Sequence, residues 1–285
     1  MRHGARAARC VYTILVSGVS VENLQIANPA KVGLFGFRFD KVTLEQAVER
    51  VLALANTKGG GHYVVTPNLD HAAILHKCPE LAEIYEAAAL VLADGLPLIW
   101  ASRWLGKSLS ERVAGSDLVP AILASAPSPL RVYLLGARPG VAQTAAENIE
   151  KQYPNIRIVG VQSPPVGFEN DPPTNDKVVK LVANTAPDLL VLGLGAPKQE
   201  IWAFRERHRL AANVTVCAGA TIDFLAGERV RAPLWCQRTG LEWAYRVMTE
   251  PRRLFPRYAK DAMAFPLLLA KQLVSDAKGF LDHQR

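Results

Sequence analysis

The stretch Val91-Leu92-Ala93-Asp94-Gly95-Leu96-Pro97 is an apolar run that stops abruptly in an acid, a glycine and a proline. Such a pattern reads as a buried strand ending at Ala93, with a helix starting at once. In open α/β sheets ligands bind beyond the carboxyl ends of the strands, so the Asp94 carboxylate stands where a general base is useful. Other apolar strands end in a comparable way, at Thr66-Pro67-Asn68, at Gly193-Leu194-Gly195-Ala196-Pro197-Lys198-Gln199-Glu200 and at Gly219-Ala220-Thr221. Singly these are ordinary, since proline and glutamate favour helix starts. Four polar strand ends in one parallel sheet converge on one cleft, with Thr66, Asn68, Gly95, Gly195, Gln199 and Gly219 as its candidate lining and Asp94 as its candidate base.

Further motifs add to this cleft or fall away. Gly136-Ala137-Arg138-Pro139-Gly140 follows a strand and opens a helix, which would let phosphate oxygens meet backbone N–H groups at a helix N-terminus. Its spacing is not GxGxxG, so it is no dinucleotide fingerprint, and a plain strand-to-helix turn would also use glycine. Gly106-Lys107-Ser108 lacks the earlier glycine of a Walker A loop. The chain contains no Asp-x-Asp, so an enzyme handling a nucleotide diphosphate would lack the paired-carboxylate handle for Mg²⁺. It would need guanidinium groups or helix dipoles to meet the leaving charge. Arg112, Arg229, Arg231, Arg252 and Arg253 are available, although each alone reads equally as a surface charge, and Arg112 and Asp117 could simply pair with each other. The 4 cysteines form no CxxC and the 6 histidines no HExxH. No metal and no cofactor is therefore expected, and the dispersed cysteines fit a reducing compartment.

The elements that must position these groups alternate. Lys31 to Val42 reads as a short strand or hairpin with alternating aromatics. Thr43 caps a helix from Leu44 to Asn56, with Gln46 at its third position. Tyr63 to Val65 is a strand, and helical spacing then runs to Tyr85, divided by Pro79. After the Leu90 to Ala93 strand come strands at Arg131–Leu135, Ile156–Val161, Leu189–Leu192 and Val214–Cys217. Helices are expected at Val141–Tyr153, Asp176–Asn184 and Lys198–Arg209, with Pro164 to Pro173 as a surface loop. This is the pattern of βαβ units: a Rossmann-like, mostly parallel sheet with helices on both faces.

After Gly227 the chain changes character. Of the formal charge of +7, nearly all lies from Arg229 onward, where 11 Lys or Arg face 5 Asp or Glu. A helix is expected from Leu241 to Thr249. Pro251 ends it, and helical spacing resumes with Phe265, Leu267, Leu268, Leu269, Leu273 and Phe280 as an apolar stripe beside Arg257, Lys260, Lys271 and Lys278. A basic amphipathic appendage suits an anionic membrane surface, while a helix packed on its own domain or on another subunit would look the same. No apolar run reaches the ~20 residues that span a bilayer. At the other end, Arg2, Arg6 and Arg9 precede an apolar stretch without a clean cleavage site, which reads as a poorly ordered leader rather than a signal peptide. The chain of 285 residues thus divides into a leader over 1–30, a catalytic core over 31–227 and an appendage over 228–285.

With these residues in place, the order of motifs resembles the WecG/TagA/CpsF family of bacterial glycosyltransferases. The matching pieces are Thr66-Pro67-Asn68, Ala93-Asp94-Gly95, Arg112 to Asp117, Gly195 to Glu200, Ala220 to Gly227, Arg231-Ala232-Pro233, Gly240-Leu241-Glu242-Trp243 and Glu250-Pro251-Arg252-Arg253. They run in one order from about Lys31 to about Arg257. Two positions depart: Cys217-Ala218-Gly219 stands where the family usually has Gly-Val-Gly, and Ile222 replaces an aromatic. The resemblance implies an inverting, metal-independent transfer from a UDP-sugar to a polyprenyl-diphosphate-linked glycan, in cell-surface polysaccharide or teichoic acid synthesis. It also implies that Asp94 is the catalytic base, that Thr66 and Gln199 line the active site, and that the basic tail helps a cytoplasmic enzyme reach the inner face of the membrane.

In that reading Thr66, Asn68 and Gln199 orient sugar hydroxyls. The UDP charge meets N–H groups near Gly136 to Gly140 or Gly219, together with Arg231, Arg252 and Arg253, and Arg112 and Asp117 contact acceptor or nucleotide. N-acetylmannosamine, its uronic acid and glucose all fit as the sugar, and the oligomeric state stays open. A nicotinamide-dependent oxidoreductase would use the same fold but needs GxGxxG with an acid about twenty residues on; neither is present. A non-catalytic nucleotide- or lipid-binding protein would keep the cleft without needing Asp94. Nucleic acid is not an expected partner.

Overall fold

The computed structural model describes residues 29–233, Cys236 and 241–282, leaving the expected leader, apart from its last two residues, outside the described part. The side chains of Arg253, Arg257 and residues 279–282 are likewise outside it. The chain opens with a hairpin of β1 (Lys31–Leu34) and β2 (Phe37–Asp40). Its turn residues Phe35 and Gly36 have φ of 52° and 87°, the left-handed geometry that a two-residue hairpin turn requires. Helix α1 (Leu44–Ala55) follows with the anticipated cap: Thr43 Oγ1 accepts from the Gln46 N–H, and Gln46 Oε1 accepts from the Thr43 N–H. Such a cap contributes about 1 kcal/mol.

The core then runs β3 (His62–Val65), α2 (Leu69–Lys77), α3 (Ala82–Glu86), β4 (Leu90–Val91), α4 (Leu96–Trp104) and α5 (Gly115–Ser125). It continues with β5 (Leu130–Gly136), α6 (Val141–Gln152), β6 (Ile156–Gln162), α7 (Pro172–Thr185), β7 (Leu189–Gly193), α8 (Lys198–Glu206), β8 (Val214–Cys217) and α9 (Thr221–Leu225). The six core strands pair in the order β4-β3-β8-β7-β5-β6, all parallel. Alternate side chains divide between two cores. Tyr63, Val65, Tyr133, Leu135, Leu190 and Leu192 enter one, with α2, α3, α4, α7 and α8. Val64, Val132, Leu134, Leu189, Val191 and Val216 enter the other, with α1, α5, α6 and α9. Both faces are thus covered, as near-continuous apolar strands demand.

Strand β4 is an edge, and its exposed N–H side is managed by the hairpin: Asp40 Oδ2 accepts from the Val91 N–H at 2.8 Å. Beyond Val91 the backbone stays extended. Leu92 and Asp94 donate to Val65 and Pro67, and Val113 donates to Ala93 at 2.8 Å. The run to Asp94 is therefore gripped from both sides.

The structure corrects the sequence reading in three places. Helix α5 was not anticipated, and it carries Pro120 in its interior. The segment Pro164 to Pro173 is only partly a surface loop. Phe168 is buried edge-on against Trp202, with ring centroids 5.8 Å apart, and Pro172-Pro173 form the first turn of α7, where a missing N–H costs nothing. The expected single stripe of the tail is two faces. After α10 (Glu242–Thr249), α11 (Pro251–Asp282) packs Phe265, Leu268 and Leu269 against the core, while Leu267 and Leu273 point outward, each 54% exposed. At 100° per residue, positions 267 and 268 cannot share a face with 265 and 273 alike. Phe280 lies outside the described side chains. The inward face is pinned by Gln272 Oε1, which accepts from the Phe35 N–H at 2.7 Å, and by Lys107 Nζ against Asp276 at 2.5 Å. Among the described residues no helix is long and apolar enough to cross a membrane.

At the carboxyl end of the sheet, β5 and β7 converge. A Cβ on Gly136 (φ 124°) would lie 2.4 Å from the Gly193 carbonyl oxygen. We expect Gly136→Ala to destabilise the fold by about 2–4 kcal/mol, from overpacking and backbone strain together. Urea unfolding checks this, and a loss below about 1 kcal/mol would mean that the two strand ends can separate at little cost.

Candidate active site

Asp94 is the last residue of the extended run after β4, and Gly95 (φ 122°) turns the chain directly into α4. The half-buried carboxylate lies 3.7 Å from Arg112 Nη1. Burial pushes the Asp94 carboxyl above its usual range. Arg112 opposes that, Glu242 adds to it, Arg246 opposes it and Asp117 adds to it, in falling order. A base that holds its proton more tightly is a stronger base once it is ionised.

Around Asp94 the charges form a closed network. Asp117, in the first turn of α5, accepts from Arg112 Nη2 on one oxygen and from Arg231 Nη1 on the other, both at 2.7 Å. Glu242, from the first turn of α10, lies 3.7 Å from Arg112 and 4.0 Å from Arg231. Pro120 explains how Arg231 is seated. Lacking an N–H, it leaves the Ser116 carbonyl without its helical donor, and Arg231 Nη1 donates to that carbonyl at 3.1 Å. Arg231 Nε and Nη2 are buried with no hydrogen bond among the described residues. Buried guanidinium N–H groups without acceptors are costly, and they suit a phosphate oxygen.

The other strand ends meet through buried amides and hydroxyls. Thr66 Oγ1 donates to the Cys217 carbonyl at 3.4 Å, tying β3 to β8. Gln199, in the first turn of α8, is buried. Its Oε1 accepts from the Gly195 and Gly219 N–H groups, both at 3.2 Å, and its Nε2 donates to Glu200 Oε1 at 2.8 Å. Gln199 thus draws the two glycine loops together, and the Gly219 N–H expected to meet a ligand is given to it. Asn68 caps α2 and stands against Gly95, whose Cβ would lie 4.0 Å from that of Asn68.

The remaining expected residues lie apart. Gly136 serves the approach of β5 to β7, and Arg138 in its loop pairs with Glu228 at 3.0 Å. From β4 to β5 is four strand spacings, about 19 Å, so the Gly136 loop and Asp94 mark opposite ends of the crevice. Arg252 is exposed, with no ion pair among those of the described residues, and the Arg253 side chain is not described. Arg229 is held by Asp223 and Glu250, each at 3.3 Å. Among the described residues no group of three or more His, Cys, Asp or Glu could hold a metal. Sequence reasoning missed the roles of Glu242 and His71. Glu242 sat in a recognised motif without a role. His71 occupies the third helical position after Asn68, where a capping box usually has Glu or Gln, and that spacing was the available signal.

A strand-end crevice holding a raised carboxylate beside arginine N–H groups without acceptors has the groups that transfer to an anionic leaving group would need. Comparison with known proteins makes the class specific. The sequence model of the WecG/TagA/CpsF family of glycosyl transferases matches residues 32–279. N-acetylglucosaminyldiphosphoundecaprenol N-acetyl-beta-D-mannosaminyltransferases of Staphylococcus aureus strains COL and MW2 are each 28% identical to this chain over 256 residues, covering 88% of it and 98% of their own length. The chain belongs to the WecG/TagA/CpsF family and is a glycosyltransferase.

The Asp94 shift has a thermodynamic sign. The folded carboxyl holds its proton above the ordinary value of 3.8, so its protonated form favours the fold at low pH. That contribution is lost as pH rises through the folded value. We expect Asp94→Asn to melt higher than the parent at pH 7, with the gap closing as pH falls through the raised folded value and gone by about pH 4. Thermal melts across that range check it. A gap that does not change with pH would show that the carboxylate bears no burial penalty.

Proposed function

We propose that the chain transfers N-acetylmannosamine, or a close relative such as its uronic acid or glucose, from a UDP-sugar to a polyprenyl-diphosphate-linked glycan, with inversion and without a metal. The observation that carries this reading is Asp94: a raised carboxylate at a strand end, within reach of Arg112 and linked through Asp117 to Arg231. The sugar and acceptor in the names of the 28%-identical relatives, N-acetylmannosamine and N-acetylglucosaminyldiphosphoundecaprenol, support this choice of substrates. The absence of Asp-x-Asp supports charge neutralisation by arginine.

In the reaction, ionised Asp94 takes the proton from an acceptor hydroxyl as that oxygen attacks the anomeric carbon. The bond from that carbon to the β-phosphate oxygen breaks, and UDP leaves with the electron pair. Arg231 Nε and Nη2 meet the new charge, with the Arg112 guanidinium close by. Asn68, beside Gly95, donates to a sugar hydroxyl. Gln199 and Thr66 act by fixing the loops that face the sugar.

Each glycan acceptor carries a lipid, and the tail fits that requirement. Trp243, Phe255, Met263 and Leu267, with Trp100 and Trp104 of α4, are exposed, and so are the cations Arg252, Lys260 and Lys271. We place the enzyme at the inner face of the membrane, bound by apolar insertion and by attraction to anionic lipid. Vesicles containing phosphatidylglycerol should retain the protein in sedimentation, and should release most of it as salt rises to about 0.5 M, where screening is strong. Equal retention by neutral vesicles would sink the electrostatic part.

The function is tested by UDP release over a panel of UDP-sugars, with and without a lipid-diphosphate acceptor. Release that needs both substrates, and falls about 10²- to 10⁴-fold in a folded Asp94→Asn variant, is the expected result. The parent's kcat/KM should also rise with pH through a value above the ordinary carboxylate range. A variant that keeps most of its turnover would remove Asp94 from the chemistry.

A further inference from the structure

Behind the crevice lies a buried carboxylate that the reaction above does not use. Glu200 is 1% exposed, and its two oxygens differ. Oε1 accepts from Gln199 Nε2 at 2.8 Å and faces His71 Nε2 at 3.4 Å, while Oε2 has no hydrogen bond among the described residues. On its other side, the buried imidazole of His71 places Nδ1 2.8 Å from Asn68 Oδ1.

The protons in this chain can be placed. The Asn68 side-chain atom nearest His71 also accepts from the Asp70 and His71 backbone N–H groups, at 3.1 and 3.3 Å. It is therefore the oxygen, since a flipped amide would oppose donors to donors at both contacts. Nδ1 must then donate, because a bare Nδ1 at 2.8 Å would set two lone pairs against each other. The Asn68 N–H also points at Nδ1, but at 3.3 Å, and this weaker contact gives way. With Nδ1 protonated, the Nε2 to Glu200 contact holds together only when a proton lies between them. That proton sits on Nε2 or on Oε1 and bridges the two groups across 3.4 Å.

We propose that Glu200 and His71 are positioning residues for the glycosyl transfer: the Glu200 carboxyl fixes His71 through Nε2, His71 fixes the Asn68 amide through Nδ1, and the same carboxyl fixes Gln199. One buried group thereby sets two of the crevice's amides. Three donors converge on Asn68 Oδ1, which polarises the amide and strengthens its NH₂ group as a donor. That NH₂ carries no hydrogen bond among the described residues, and the Asn68 Cβ would lie 4.0 Å from a Cβ on Gly95. The effect on transfer rests on the function proposed above, whereas the proton placement does not.

The test uses the full chain and two readouts. Nitrogen-15 NMR of the histidine side chains should show His71 Nδ1 protonated, and Glu200→Gln should move Nε2 toward the unprotonated range. An unprotonated Nδ1 in the parent would overturn the inference whatever the turnover. In kinetics, His71→Leu should lower kcat about 10- to 100-fold with little change in KM for donor. His71→Asn, which keeps a donor at the Nδ1 position, should recover to within about 5-fold of the parent, the residue of a lost second partner. On an Asn68→Ala background, His71→Leu should add nothing. Equal losses in both His71 variants, or losses that multiply with Asn68→Ala, would show a merely structural histidine. Thermal melts confirm that the variants compared are folded. A parent that turns over no UDP-sugar at all would sink the functional reading, while the nitrogen spectra still decide the proton placement.

Discussion

Two guanidinium groups share one carboxylate at the mouth of the crevice, and much of the molecule is arranged to allow it. Removing charges from water costs several kcal/mol per ion unless partners and hydrogen bonds replace the solvent. Asp117 gives one oxygen to Arg112 and the other to Arg231, both at 2.7 Å. That leaves Arg231 with N–H groups to satisfy, and Pro120 frees the Ser116 carbonyl for one of them. It also draws in Glu242 from α10, so the appendage contributes a charge to the site rather than only a surface. Burial raises the Asp94 carboxyl even though a guanidinium is 3.7 Å away; Arg112 and Arg246 oppose the rise, and Glu242 and Asp117 add to it.

The parts of the site that were legible in the sequence are those fixed by one-dimensional rules. An apolar run ending in Asp94-Gly95 locates a carboxylate at a strand end, because strand and helix cannot share a residue and the acid falls at the junction. Thr43 and Gln46 gave the cap of α1 by spacing alone. What could not be read is where a polar group at a strand end spends its hydrogen bonds. Gln199 looked like a ligand-facing amide, yet its oxygen is committed to the Gly195 and Gly219 N–H groups. Gly136 looked like a phosphate loop, yet its lack of a side chain is required by the Gly193 backbone. Pro120 concealed a helix because the local penalty is offset 111 residues away in sequence, by Arg231. These are three-dimensional accounts, and periodicity carries no information about them.

The departures from the family pattern fall under the same constraint. Cys217 and Ile222 are both fully buried. A Cβ on Gly193 would come within 3.0 Å of Ile222 Cδ1, so Ile222 fills the space beneath the end of β7. Cys217 belongs to the opposite core, and its thiol, pushed up by burial and by Glu200, is held neutral. Both substitutions therefore act on the layer that supports the crevice floor.

The tail shows how one helix can serve two demands on opposite faces. Along α11, Phe265, Leu268 and Gln272 recur at three- and four-residue steps and meet the core, where Phe265 lies 6.2 Å from both the Phe35 and Trp104 rings. A helix on its own domain needs that face alone. The outward face nevertheless keeps Phe255, Met263, Leu267 and Val274 at 54% exposure or more. A solvated helix would place polar residues there, since exposed apolar side chains bring no stability and carry a risk of aggregation. Inward packing anchors α11 to the hairpin and α2, and α10 before it carries Glu242 to Arg112 and Arg231. The helix that presents the outward face therefore also packs against the element that brings Glu242 to the charge network around Asp94.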